Sequence, residues 1–434
     1  MCGIFGIYNC KKKDDIFTDL VDGLKKLQHR GKDSCGVSYT DGKDIQYEKY
    51  IGKIKQFNSP KSNLLSGIGH VRYSTSGISK EGNEVCLEEI QPLTKNNISI
   101  VHNGNVPTIT NSHDSKYLLD KIIHRKNTIE EALIDIMNTI PASYCILIIT
   151  GTDLYILRDR YGIRPLSYGY RDGNVYLSSE TVALSNCSGV TEVGSGEILK
   201  LNQSGIHRIY NHPKSMDCIC LFEIIYFMNP SSYYNHKSIK SFREELSHQL
   251  AKKEDIIKDT ENYIVIGIPK SGIIYGQTYA KDLSLEYKQL ITKSTEDRTF
   301  ISLNQMERKK ACRKKFIYDK DQIKGKKLIL LDDTIVRGNV IQTIINELRK
   351  LDPLEIHVRI PSPPVVDICQ LGIAINTKEE LLMSNRTVDE VRELINVDSL
   401  RYLELSDLTM IPEDSYKQCF GGGIFEEIVE KRIN

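Results

Sequence analysis

Met1-Cys2-Gly3-Ile4-Phe5-Gly6-Ile7 opens the chain with a cysteine directly behind the initiator methionine. Removal of that methionine leaves a thiol and a free α-amine on one residue. An α-amine titrates near pH ~8, below any lysine, so it can act as general base for the adjacent thiol. The thiolate is the attacking species, and an internal base raises its availability at neutral pH. The glycine and aliphatic residues that follow predict a short buried strand with the nucleophile at its end. The plain alternative is an incidental cysteine beside an ordinary first strand, and only further motifs decide between the two.

Outward from this strand, Ile16, Phe17, Leu20, Val21, Leu24 and Leu27 recur at helical spacing, and Gly31 stands where a helix would stop. Short alternating strands with Gly- and Asn-containing turns are predicted at 67–71, 98–101, 144–150 and 153–158. Asp159-Arg160-Tyr161-Gly162-Ile163-Arg164-Pro165 reads as a tight surface turn. This first part suits a sandwich of sheets covered by helices. After the polar stretch 211–217 the pattern changes. Apolar strands at 263–268, 327–331 and 356–360 are separated by helical stretches, which implies a parallel α/β sheet. The boundary is expected near Pro213, giving domains 2–213 and 214–434.

Lys and Arg number 58 against 57 Asp and Glu, so no global field favours nucleic acid or an anionic membrane. No apolar run approaches the ~20 residues that span a bilayer, and no signal-peptide pattern is present. The 11 cysteines lack short-spaced pairs apart from Cys218 and Cys220, which points to reduced thiols in the cytoplasm rather than a disulfide framework.

Three further motifs follow Cys2 in order: Leu27-Gln28-His29-Arg30-Gly31-Lys32-Asp33-Ser34-Cys35-Gly36, Gly69-His70-Val71-Arg72-Tyr73-Ser74-Thr75 and Val101-His102-Asn103-Gly104-Asn105. With Cys2 they resemble the glutaminase domain of N-terminal-nucleophile amidotransferases. Leu328-Ile329-Leu330-Leu331-Asp332-Asp333-Thr334-Ile335-Val336-Arg337-Gly338 resembles the ribose-phosphate loop of type I phosphoribosyltransferases. The two in this order, joined by Cys220-Leu221-Phe222-Glu223, resemble the glutamine phosphoribosylpyrophosphate amidotransferase family over nearly the whole chain. The implied fold is α/β with α+β: an N-terminal-nucleophile amidohydrolase sandwich, then a type I phosphoribosyltransferase domain.

Amide hydrolysis needs a nucleophile, an oxyanion stabiliser and grips on the substrate. Cys2 supplies the first; the Asn103 side-chain amide and the Gly104 N–H can serve the oxyanion, where one donor is worth ~3 kcal/mol. The resemblance implies that Arg72 pairs with the glutamine α-carboxylate, a bidentate role suited to arginine, and that Asp114 holds the α-ammonium. The competing readings are a hairpin turn for Asn103-Gly104, a solvated rim position for Arg72 and a helix cap for Asp114.

In the second half, the apolar strand presents Asp332 and Asp333 at its C-terminal end, where α/β sheets bind ligands. The acids can hold ribose hydroxyls and the Mg²⁺ that accompanies pyrophosphate. Thr334, Ile335, Val336, Arg337 and Gly338 can offer backbone N–H groups and a hydroxyl to the 5′-phosphate, ahead of a helix carrying Ile341, Ile344, Ile345 and Leu348. The plain alternative is a strand end whose acids cap a helix. Gly267-Ile268-Pro269-Lys270-Ser271-Gly272 resembles the family's second loop, with Ser271 near metal and pyrophosphate and Lys270 where an acid is usual. Lys315 matches a lysine that reaches pyrophosphate. The basic run 308–315 lacks an aromatic stacking platform for nucleic acid.

Some members carry an iron–sulfur cluster on four cysteines. Cys220 and Cys369 fall at two of those positions, while Glu413 and Tyr416 stand where a C-terminal pair is expected before Cys419. Two thiolates cannot hold a cubane, so no cluster is expected. Asn229-Pro230-Ser231-Ser232 replaces the family's Arg-Pro-Asp-Ser, in a region that binds feedback nucleotides in relatives. The implied partners are glutamine and phosphoribosylpyrophosphate, with a homo-oligomer, dimer or tetramer. Two rivals are glucosamine-phosphate synthase, which lacks an Asp-Asp-Thr loop, and a non-enzymatic descendant.

Overall fold

The computed structural model describes residues 2–11, 15–60, 63–73, 89–107, 113–124, 127–257, 260–293, 316–375 and 377–423. Lys315, with the rest of the basic run, lies outside the described residues.

Gly3–Tyr8 is buried along its whole length because it runs at the centre of a seven-stranded antiparallel sheet. Asn174–Ser178 flanks it on one side and Ser66–Arg72 on the other, with Gly3 opposite Val71 and Ile4 opposite His70. Successive side chains point to opposite faces of a strand, and both faces here are covered. Phe5 and Ile7 pack with Phe17, Leu20 and Leu24 of the helix Phe17–Lys26, while Ile4 and Tyr8 meet Val101, Leu147 and Ile156 of a second sheet.

That second sheet has six strands, with Ile98–Asn105 between Leu93–Lys95 and Ser143–Ile149. Its outer face is closed by the helices Asp114–Ile123 and Ile129–Thr139 through Leu118, Ile122, Leu133 and Ile136. The result is helix on sheet on sheet on helices, as the strand-rich first part of the sequence predicts.

The segment expected to be a surface turn is buried instead. Arg158 donates through Nε to Arg164 O at 2.9 Å, through Nη1 to Val193 O at 2.6 Å and through Nη2 to Gly162 O at 3.0 Å. Asp159 accepts from the backbone N–H groups of Tyr144 and Tyr161. Main-chain groups thus satisfy Asp159 and the adjoining Arg158, which lets this polar stretch go inside.

The second half is built on a five-stranded parallel sheet in the order Glu286–Tyr287, Tyr263–Gly267, Lys327–Leu331, Glu355–Ile360, Ser399–Tyr402. The two edge strands are absent from the sequence expectation because one has two residues and the other alternates weakly. Val265, Ile329 and Leu331 face the helices Ile239–Lys252 and Gly272–Asp282; Ile264, Ile266, Leu328 and Leu330 face Asn339–Arg349. Burial on both faces explains why these strands read as unbroken apolar runs.

Candidate active sites

Cys2 is partly exposed at the start of the central strand, and its thiol lies 3.8 Å from Tyr73 O at the end of the neighbouring strand. Arg30, fully buried, donates through Nε to Cys2 O at 2.7 Å, which fixes the backbone of the nucleophile. Asn103 and Gly104 sit inside the strand Ile98–Asn105, paired with Cys145 and Tyr144, so the hairpin-turn reading is wrong for this Asn-Gly pair. The Asn103 Nδ2 is buried and finds no acceptor among the described residues. A buried amide donor without a partner asks for an explanation, and an incoming oxyanion supplies one. A Cβ on Gly104 would lie 2.0 Å from Ser143 O and 2.7 Å from His102 Nε2, so only glycine lets the strands pair here.

Arg72 and Asp114 come into one region, each already engaged. Arg72 Nη2 meets Glu89 Oε2 at 3.1 Å, and Glu89 in turn pairs with His113. Asp114 is the first residue of its helix; its Oδ1 accepts from Ser115 N at 2.7 Å and its Oδ2 lies 3.7 Å from His102 Nδ1. The helix-end role for Asp114 is therefore real, alongside the contact to His102. Burial lowers the His102 pKa, partly opposed by Asp114. His70, on the facing sheet, is fully buried, and burial followed by the nearby Arg72 brings it down to about 3.

In the second half, Leu331 O accepts from Ile268 N at 2.8 Å, which seats the loop 268–271 on the strand end. Ser271 Oγ then lies 3.3 Å from Asp332 Oδ1. The Pro269–Lys270 peptide is cis, with Lys270 exposed. Asp332 and Asp333 are both buried; Thr334 Oγ1 donates to Asp333 Oδ2 at 3.0 Å. Burial, then the neighbouring Asp333 charge, raises the Asp332 pKa well above the carboxylate range. Gly338 has φ +75° immediately before the helix Asn339–Arg349, and a Cβ there would meet Leu382 Cδ2 at 2.8 Å.

Not every loop residue faces the same space. Ile335 is buried in the core under the sheet, and Val336 O accepts from Leu382 N at 2.9 Å. Arg337 turns to Glu380, donating through Nε at 2.6 Å, and to Ala374 O at 2.8 Å.

The residues that join the two halves are absent from the sequence expectation. Arg30 also binds Glu180 Oε1 at 2.5 Å and Glu223 Oε1 at 2.7 Å, all three side chains being buried. Arg30 stands inside a quoted motif and Glu223 inside the joining segment, so that shared placement is the signal in the sequence. Tyr226, three residues on, is partly exposed; burial, then the Asp333, Tyr73 and Asp332 charges, push its phenol up to about 12.

The cysteine expectation needs correction. Cys419, set aside in the sequence reading, lies in one buried cluster with Cys220 and Tyr416, against which Cys369 packs. Glu413 is exposed elsewhere, its carbonyl accepting from Lys417 Nζ. Three thiols and one phenol thus share a corner of the fold, because Cys220 pairs with Tyr416 in an isolated bridge. Among the described residues no three His, Cys, Asp or Glu side chains are arranged to hold a metal ion. A cubane on four thiolates does not fit these four side chains.

A family model described as a phosphoribosyl transferase domain matches residues 231–360, and one described as a glutamine amidotransferase domain matches residues 85–186. The amidophosphoribosyltransferase of Methanocaldococcus jannaschii is 34% identical, the match covering 94% of this chain and 93% of that protein. That of Bacillus subtilis is 31% identical over 94% of this chain and 88% of its own. The solved glutamine phosphoribosylpyrophosphate amidotransferase of B. subtilis, complexed with ADP and GMP, superposes with a TM-score of 0.85 at 28% identity over all of both chains. A structure described as the allosteric regulatory enzyme of purine biosynthesis gives 0.86 at 29% identity, covering 100% of this chain and 98% of the other. With a relative at 34% identity over nearly the full length of both proteins, the chain belongs to the amidophosphoribosyltransferase family.

Proposed function

We propose that the chain converts glutamine, 5-phosphoribosyl-1-pyrophosphate and water into 5-phosphoribosylamine, glutamate and pyrophosphate, the first step of purine synthesis. The observation that carries this reading is the presence of both sites in one chain: Cys2 at the end of the central strand with the unpartnered Asn103 amide, and the buried Asp332/Asp333 pair beside Ser271 at the end of the parallel sheet. We assign the glutaminase to residues 2–213 and the phosphoribosyltransferase to 214–434.

With Met1 removed, the α-amine of Cys2 takes the thiol proton and sulfur attacks the glutamine side-chain carbonyl. Asn103 Nδ2 and Gly104 N–H stabilise the oxyanion, Arg72 receives the α-carboxylate and Asp114 the α-ammonium. For the latter two, substrate displaces the Glu89 and helix-end contacts they make now. Collapse releases ammonia and leaves a thioester that water hydrolyses to glutamate.

In the second half, Asp332, Asp333 and Ser271 would hold the Mg²⁺ that arrives with pyrophosphate. Two crowded buried acids fit such an ion, since Mg²⁺ commonly takes one or two protein carboxylates and completes its shell with phosphate oxygens and water. It would supply charge neutralisation for the departing pyrophosphate. The loop 334–338 receives the 5′-phosphate. Ammonia attacks the anomeric carbon as the carbon–oxygen bond to pyrophosphate breaks. Ammonia loose in water would be protonated, so transfer between the two sites calls for a passage that excludes water once the substrates are bound.

Cys2→Ala tests the reading. Glutamine-dependent formation of 5-phosphoribosylamine should vanish, while high ammonium at alkaline pH should still support it. Retained use of glutamine would sink the nucleophile, and an inactive parent with either nitrogen donor would favour a non-enzymatic descendant.

A further inference from the structure

We propose that Cys369 and Cys419 are a thiol–disulfide pair that registers oxidation where the two halves of the chain meet. The backbone brings them together: Cys419 O accepts from Val366 N at 2.8 Å and from Asp367 N at 3.2 Å, two residues before Cys369. Cys419 lies in the buried cluster against which Cys369 packs, which brings the two side chains into one corner. The Cys369 sulfur accepts from Leu371 N and Ile373 N, each at 3.4 Å, with the Arg164 guanidinium nearby. Such surroundings favour a sulfur that accepts hydrogen bonds, the form that reacts with an oxidant. Cys419 is buried and Cys369 is half-buried, so only a small oxidant can reach the pair.

A peroxide is the oxidant class that fits. The Cys369 sulfur attacks one peroxide oxygen, the O–O bond breaks, and a sulfenic acid forms with release of water. The Cys419 sulfur then attacks the Cys369 sulfur; the sulfenic hydroxyl leaves with the Cys419 proton as a second water. Two thiols lose two electrons and the peroxide gains them. Forming a bond of about 2.05 Å requires the segment carrying Cys369 to shift.

That segment has contacts in both halves. Gln370 O accepts from Asn105 Nδ2 at 2.7 Å, Leu371 O accepts from Arg164, and Ala374 O accepts from Arg337 Nη2 at 2.8 Å. Asn105 follows Gly104 on the oxyanion strand, and Arg337 lies in the loop after the paired acids. Oxidation therefore pulls on a strap fastened to both sites, and glutamine-dependent synthesis should fall on oxidation and return on reduction. The pairing itself does not depend on the reaction proposed above.

The test is peptide mapping of the full chain after brief peroxide treatment, alkylation of remaining thiols, unfolding and trypsin digestion. Cys369 and Cys419 fall on separate tryptic peptides, 360–378 and 418–431, and Cys218 and Cys220 share a third, 215–237. The expected product is 360–378 joined to 418–431, lighter by two hydrogens and separated again by dithiothreitol. Cys419→Ser should prevent the link and leave Cys369 as a sulfenic acid that dimedone traps. A link from 360–378 to 215–237 would overturn the assignment, as would full alkylation of both cysteines after peroxide. Stoichiometric iron and acid-labile sulfide in an anaerobic preparation would overturn it too, since the thiols would then be ligands.

Discussion

A buried N–H without an acceptor costs roughly 1–3 kcal/mol, and Asn103 Nδ2 is such a group beside the nucleophile's sheet. A fold keeps that cost where the donor is needed for something that comes and goes. Asn103→Ala should lower kcat for glutamine hydrolysis about 10²–10³-fold, with thermal stability unchanged or slightly raised. Hydrolysis near the parent rate would remove Asn103 from the oxyanion. Asp333 presents the opposite case, a buried acid crowded by a second acid and bound to the Thr334 hydroxyl. Asp333→Asn removes one charge from the metal and ribose site and touches nothing in the first half. Synthesis of 5-phosphoribosylamine should collapse with either ammonia or glutamine as donor, while basal glutaminase survives. Synthesis at the parent level would show that the ribose-phosphate site lies elsewhere.

At the scale of elements, the segment Glu223–Phe227 does two jobs from one turn of chain. Glu223 anchors it to Arg30 of the first half, and the Tyr226 phenol feels the charges of Tyr73 and the paired acids. If that phenol walls the passage for ammonia, Tyr226→Ala should leave both half-reactions running yet separate them. Glutamate formed per 5-phosphoribosylamine should rise above one, and added ammonia should restore synthesis. A ratio that stays at one would place the passage elsewhere. The central strand, the sandwich and the parallel sheet were legible because each is written in local period and turn residues. Cys2, Asn103-Gly104 and Asp332-Asp333 were legible as short runs at strand ends. The Arg30–Glu223 pair was not, since its partners stand 193 residues apart and neither looks unusual alone. The burial of 159–165 was missed because Asp159 and the preceding Arg158 are hydrogen-bonded by main-chain groups that no spacing reveals. Cys419 was passed over for the same reason: only the backbone pairing of 366–367 with 419 brings it to Cys369.

Across the whole molecule, buried charges decide how the fold responds to acid. Burial pushes the Glu180 carboxyl up, but Arg30 and His29 outweigh it and hold it at about 2. Glu254 is likewise opposed by burial yet held at about 2 by Arg359 and Tyr279. Each has a folded pKa below its unfolded one, so its contribution is present above pH ~4.5 and is lost as pH falls toward 2. That contribution is on the order of 3 kcal/mol for each carboxylate. His70, brought to about 3 by burial, has the same sign over a higher window: stability begins to fall below pH ~6.5, where the unfolded imidazole gains its proton first. Asp159 runs the other way, because burial raises it to about 6 and acidification from pH 6 toward 4 relieves the cost of its charge. The last two offset each other, whereas the glutamates act together. The melting temperature should therefore change little between pH 6.5 and 5 and drop steeply below about 4.5. Thermal melts in matched ionic strength from pH 8 to 3 check this. A melting temperature that is flat down to pH 3, or that falls most steeply above pH 6, would mean that Glu180 and Glu254 are not the charges on which the junction and the parallel sheet depend. Glu254→Gln should flatten the acid limb while lowering stability at neutral pH, because it leaves Arg359 buried without its carboxylate.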